Sequence, residues 1–186
     1  KQHTSAPIAW TEEKNWILNE EYAGYYNLNE KYDPEEYGHI TTLRHAPQKA
    51  WIMLSEMHRE INKAKPNQGH EALAELESMG LLSSIITQNV DGLHQMAGNT
   101  DVIEFHGTFA WQRCMECSRH VETRNVDISE IPPRCDCGGI LRPNVVFFGE
   151  MIPQEAHWRS QQVATDCDVM LVIGTSAIVQ PAGMMP

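Results

Sequence analysis

An α/β fold, built on an open Rossmann-like parallel sheet with a helical insert and a small cysteine-rich domain, follows from three observations in this 186-residue chain. Apolar runs at Leu81, Leu82, Ile85 and Ile86 and again at 169–173 each give way to small polar residues, as buried strands do at the ligand-binding edge of such a sheet. Helical and strand-like segments alternate around them, the βαβ rhythm of a parallel sheet. Two close cysteine pairs, Cys114 with Cys117 and Cys135 with Cys137, interrupt that rhythm and mark out a separate module.

Taken in order, residues 1–36 carry Trp10, Trp16, Tyr22, Tyr25, Tyr26 and Tyr32 among acidic and amide residues. Short helices and loops are expected there, their aromatics packed on the body together with Tyr37. Trp51, Leu54, Met57 and Ile61 recur at three- and four-residue steps and predict a helix over 45–64, with Pro47 in its first turn and Pro66 beyond its end. A second helix is predicted over 68–79, with Leu73, Leu76 and Met79 on one face, His70 as a partner in its first turn and Gly80 as its stop. Strands are expected over 84–87 and 102–105, a further helix over 153–165 and a last strand over 169–173. The sheet domain with its helical part then occupies 1–107 and 151–186, and the inserted module 108–150.

In that module the two cysteine pairs are separated by a span within the ~15 to 20 residues usual for zinc ribbons. Four thiolates can reach one ion at about 2.3 Å and close a tetrahedron with no open position, which predicts a structural zinc held by Cys114, Cys117, Cys135 and Cys137. Gly138 and Gly139 give the second, shorter pair the backbone freedom its turn needs. The loop between the pairs mixes Arg119, His120, Arg124 and Arg134 with Glu122, Asp127 and Glu130, so it offers no basic patch. Cys167 is left over and is expected to be a buried structural thiol.

With 25 acidic against 14 basic residues the net charge is -11. That surface disfavours direct nucleic-acid binding and favours Lys-rich protein segments. A hydrophobic fraction of 41% supports a real core. Residues 1–20 contain no apolar leader, and no run approaches the ~18 apolar residues of a membrane span. No membrane association and an intracellular, cytoplasmic location are therefore expected.

The first polar tip gathers Gln88, Asn89 and Asp91, and the next strand ends at His106, which suits a general base in a polar cleft. A second tip, Gly174, Thr175 and Ser176, falls at the same sheet edge, so the two define one crevice. A zinc with four thiolates cannot activate water, and neither a serine nucleophile elbow nor a Cys/His pair is evident. What remains is chemistry carried by a cofactor.

Six segments in fixed order carry a resemblance: TQNVDGLHQMAG at 87–98, Phe105-His106-Gly107, the four cysteines, Leu141-Arg142-Pro143, VVFFGE at 145–150, and Gly174-Thr175-Ser176. Pro66, Asn67 and His70 add a seventh match. Together they resemble the sirtuins, the Sir2-like NAD-dependent protein deacylases. The resemblance implies NAD as co-substrate, transfer of a lysine's acyl group to ADP-ribose, and release of nicotinamide. It gives His106 the role of catalytic base, Asn89 and Asp91 contacts in the nicotinamide and ribose pocket, Gln88 a ribose contact, and Gly174, Thr175 and Ser176 the adenosine side. An acyl-lysine protein or peptide would add as a strand along Val145, Val146, Phe147, Phe148 and Gly149, with Val146 and Phe148 around the lysine stem. The sirtuin pattern also has an N-terminal Gly-Ala-Gly loop and a C-terminal end that are not legible here, so an incomplete sirtuin is expected. The alternatives are a truncated or non-catalytic sirtuin-like module that binds acylated peptide or ADP-ribose, and a protein ADP-ribosyltransferase.

Overall fold

Helix starts in this protein are set by caps and prolines, and the computed structural model describes residues 31–175 and 177–186. Asp33 accepts from the Glu35 amide at 2.9 Å and, with Pro34, starts α1 (Pro34–Tyr37). The His39 ring accepts from the Thr41 amide and starts α2 (Ile40–His45). A proline disfavours helical backbone in the residue before it. Ala46, just ahead of Pro47, accordingly leaves the helical region, and the helix expected from residue 45 begins instead as α3 (Pro47–Lys63). In α4 (Gln68–Ser78), Asn67 caps the amides of Gly69 and His70 while His70 Nδ1 accepts from the Asn67 amide at 3.2 Å, a reciprocal box with histidine in the usual Glu role. Met79 falls just beyond this helix and is exposed, leaving Leu73 and Leu76 as its half-buried face.

The parallel pair follows. Strands β1 (Ile85–Thr87) and β2 (Val102–Glu104) are joined through the short α5 (Leu93–Ala97), with Ile85 opposite Val102 and Thr87 opposite Glu104. The Phe105 amide still bonds to the Thr87 carbonyl at 2.9 Å, so the ladder reaches the residue before His106. Beyond it an antiparallel sheet in the order β4-β3-β5 is built from β3 (Gly107–Cys114), β4 (His120–Glu122) and β5 (Leu141–Val145). Helix α6 (Gln154–Asp166) then packs back on β2.

The main core lies where the helices meet the antiparallel sheet. Tyr32, Leu43, Trp51 and Leu54 pack with Phe109 of β3 and with Phe147. The Trp51 indole donates to the Leu141 carbonyl at 3.0 Å, so the largest buried side chain also satisfies its polar atom. Burial of such side chains stabilises by about 1.5–3 kcal/mol each. Tyr32 and Tyr37 meet edge to face at 4.9 Å, as the packed-aromatic expectation requires. Trp10, Trp16, Tyr22, Tyr25, Tyr26 and Ser176 lie outside the described residues.

Two expectations are corrected. The run 169–173 forms no strand: Val169 is 76% and Ile173 71% exposed. A ladder needs a neighbouring main chain, and among the described residues none pairs with it, so apolar content alone does not make it a strand. Cys167 is half-buried, its thiol donating to the Ala164 carbonyl at 3.3 Å.

Candidate active site and metal centre

The carboxyl ends of β1 and β2 bring the first set of polar groups together. His106 stands one residue past the ladder, its Nδ1 3.3 Å from the Gln88 carbonyl. With Nδ1–H donating there, Nε2 is left as the proton acceptor. Burial pushes the His106 pKa down, against a smaller upward pull from the Gln88 carbonyl, so the ring is neutral at neutral pH. Phe105, fully buried, meets it edge to face at 5.5 Å and fixes its direction. Gly107 follows with φ +79°, and a Cβ there would run into the Asn144 carbonyl oxygen. Only glycine lets the chain turn from β2 into β3 at this point.

Gln88 Nε2 donates to Thr175 Oγ1 at 3.2 Å, so the two polar tips touch at these two residues. Asp91 accepts from the Leu93 amide at 3.0 Å, and Asn89, two residues before it, is exposed. Gly174 is exposed in the left-handed region. Glu104 is a member that sequence reasoning passed over. Burial first, with the Asp91 charge adding a little, raises its carboxyl, while Gln95 donates to it at 3.0 Å. Its signal was its place opposite Thr87 at the end of the parallel ladder.

The metal centre is closed. A tetrahedron with metal–sulfur bonds of about 2.3 Å requires sulfurs roughly 3.8 Å apart. Cys114 and Cys137 are 3.5 Å apart, Cys117 and Cys135 3.8 Å, and all four sulfurs lie within 4.8 Å of one another. The Cys117 amide, opposed by burial and helped by the Glu116 amide, brings the Cys114 thiol down to about 6, while at Cys137 the Gly139 amide is outweighed by the neighbouring sulfurs, which push it up to about 12, so the crowded set holds its charge on Cys114 first. Gly138 (φ +87°) turns the second pair, and a side chain on Gly139 would strike the Cys114 sulfur at 2.7 Å. The four residues fit a structural zinc and offer it no open position.

The 145–150 turn is locked by an ion pair. Arg142, its side chain only 7% exposed, donates to both Glu150 oxygens at 2.6 and 2.7 Å and to the Val145 carbonyl at 2.5 Å. Its guanidinium lies 4.4 Å over the Phe147 ring. Burial alone would raise the Glu150 carboxyl; the Arg142 hydrogen bonds, with the Phe147 amide, hold it below the usual range instead. Phe147 is thereby buried in the core, while Phe148 is 45% exposed. The Phe148 amide and carbonyl are both taken by the α1–α2 junction, through Gly38 and Ile40 at 3.0 Å each.

With this geometry in place, the comparison with known proteins is direct: the Sir2 family pattern matches residues 20–181. The chain belongs to the Sir2 family. It is 48% identical over 148 residues to an NAD-dependent protein deacetylase of Thermodesulfovibrio yellowstonii, covering 77% of this chain and 58% of that one. It is 44% identical over 160 residues to NAD-dependent protein deacylase 2 of Pyrobaculum aerophilum, covering 86% and 64%. Among solved structures, a Sir2 homolog–NAD complex superposes with a TM-score of 0.77 at 42% identity over 82% of this chain and 60% of the other. A complex of Sir2 with a p53 peptide and NAD+ gives 0.76 at 37% identity over 80% and 63%. This sirtuin chain thus spans about three fifths of the length of these relatives. No helix among its described residues is long and apolar enough to cross a membrane.

Proposed function

We propose that this sirtuin chain carries the catalytic crevice of an NAD-dependent protein-lysine deacylase. The observation that carries the reading is His106: a half-buried, neutral histidine whose Nδ1 is occupied by the Gln88 carbonyl and whose other nitrogen is left to take a proton. NAD supplies the ribose that receives the acyl group and the nicotinamide that leaves. The chain supplies the base at His106, amide and carboxylate contacts at Gln88, Asn89 and Asp91, and small groups at Gly174, Thr175 and Ser176 for the adenosine end. Glu104, its carboxyl raised by burial, stands at the same edge.

The acyl-lysine segment would lie along 145–149. Phe148 uses its own main chain on Gly38 and Ile40, so the strand addition falls to the remaining groups of Val145, Val146 and Gly149, with the exposed Phe148 ring beside the lysine stem. Peptide-bound relatives support this reading; a Sir2 protein bound to a propionylated peptide matches at TM-score 0.77. The thiol cluster, unbridged and shaped for zinc, suits a reducing compartment, and a cytoplasmic site of action goes with it.

The test is mass spectrometry of O-acyl-ADP-ribose formed from NAD and an acetyl-lysine peptide. His106→Ala should abolish the product while zinc content and thermal unfolding hold. Because the His106 pKa is depressed, the wild-type rate should fall only on the acid side, with a midpoint below the ordinary histidine value of about 6.5. A His106→Ala protein that retains turnover overturns the assignment; binding of peptide and ADP-ribose with no turnover in wild type favours the non-catalytic module.

A further inference from the structure

Beside the 145–150 turn lies a cavity of about 490 Å³, lined by Val146 and Gly149 on one side and by Arg44, Arg113, Arg142 and Glu150 on the other. Arg142 is committed to Glu150 and the Val145 carbonyl. Arg113 stands directly opposite Arg142 in the β3–β5 ladder, where like charges facing each other are unfavourable. A single carboxylate, Glu150, serves both: its acidity is strengthened by Arg113 as well as by Arg142. Neither Arg44 nor Arg113 makes a salt bridge or side-chain hydrogen bond with any described residue. In a chain of net charge -11, three guanidinium groups against one carboxylate is a local reversal of sign. A second carboxylate placed between Arg44 and Arg113 would balance it in the forked geometry that guanidinium favours.

We infer that this cavity is a subsite for an acidic side chain of the bound protein, within a few residues of the target lysine. The inference rests on the reading of 145–149 as the peptide-binding segment, since Val146 and Gly149 line both. The surface as a whole attracts basic segments; the cavity selects, among them, lysines with an Asp or Glu nearby.

The experiment is fluorescence anisotropy with the 186-residue chain and labelled acetyl-lysine peptides that differ only by Glu or Gln, walked through the positions flanking the acetyl-lysine. At one or more positions the Glu peptide should bind about five-fold tighter than its Gln twin at low salt, and high salt should erase the difference. The Arg44→Gln/Arg113→Gln protein should lose the preference with its zinc content and melting temperature unchanged. Binding of neutral peptides with no position favouring Glu overturns the subsite alone, as does a Glu preference that survives the double substitution. Failure of every acetyl-lysine peptide, charged or neutral, to bind overturns the peptide reading of 145–149 and the subsite with it.

Discussion

The antiparallel sheet and the parallel pair differ in how they are closed. In β4-β3-β5 every strand has a neighbour, one face buries Phe109 against the helices, and the four thiols sit at the far end of the same strands. In β1-β2 three residues pair with three, and the apolar run 169–173 that follows α6 stays exposed. The described part of the site therefore rests on little regular structure. It depends on the ends of two short strands and on the module to which the second one leads.

Breaking the closed side should have the largest effect. Cys135→Ser removes one of four ligands, and metal binding at such sites is worth on the order of 10 kcal/mol. Zinc per chain measured by plasma mass spectrometry should fall from about one to near zero, with hydrogen exchange rising across β3 and β5. Retained stoichiometric zinc would show that the four thiolates are not the site. A smaller loss follows from the core that the module shares with the helices: Phe147→Ala should cost about 3–5 kcal/mol in urea unfolding, while Phe148→Ala should stay within about 0.5 kcal/mol. Equal costs would mean that the Arg142–Glu150 lock does not orient the turn. On the open side, Ile173→Thr should change stability by less than about 0.5 kcal/mol, because the side chain is already in water. A cost above about 2 kcal/mol would place the run inside a core.

What was legible in the sequence was local. His70 as a partner in the first turn of its helix and the thiol spacing are settled within a few residues and stand as expected, while the polar tip at 88–91 and His106 come together at neighbouring strand ends. The break at Ala46 was local too, since Pro47 disfavours helix there, yet the strong stripe of Trp51 and Leu54 masked it. The run 169–173 failed for another reason: β-branched residues state what a strand would bury but not which main chain would meet it. Glu150 on Arg142, Gln88 on Thr175 and Arg113 opposite Arg142 join residues through strand register and loop closure, which no spacing rule reports.

His106 and Gly107 are consecutive, and the carbonyl of the first accepts the Val146 amide at 2.8 Å while the second opens β3. His106 is thus bolted by its own main chain to β3 and to the end of β5, the strands that flank the four thiols. If the chain turns over as proposed, a chelating agent that never enters the crevice would lower its rate from a distance, by loosening the sheet that holds His106.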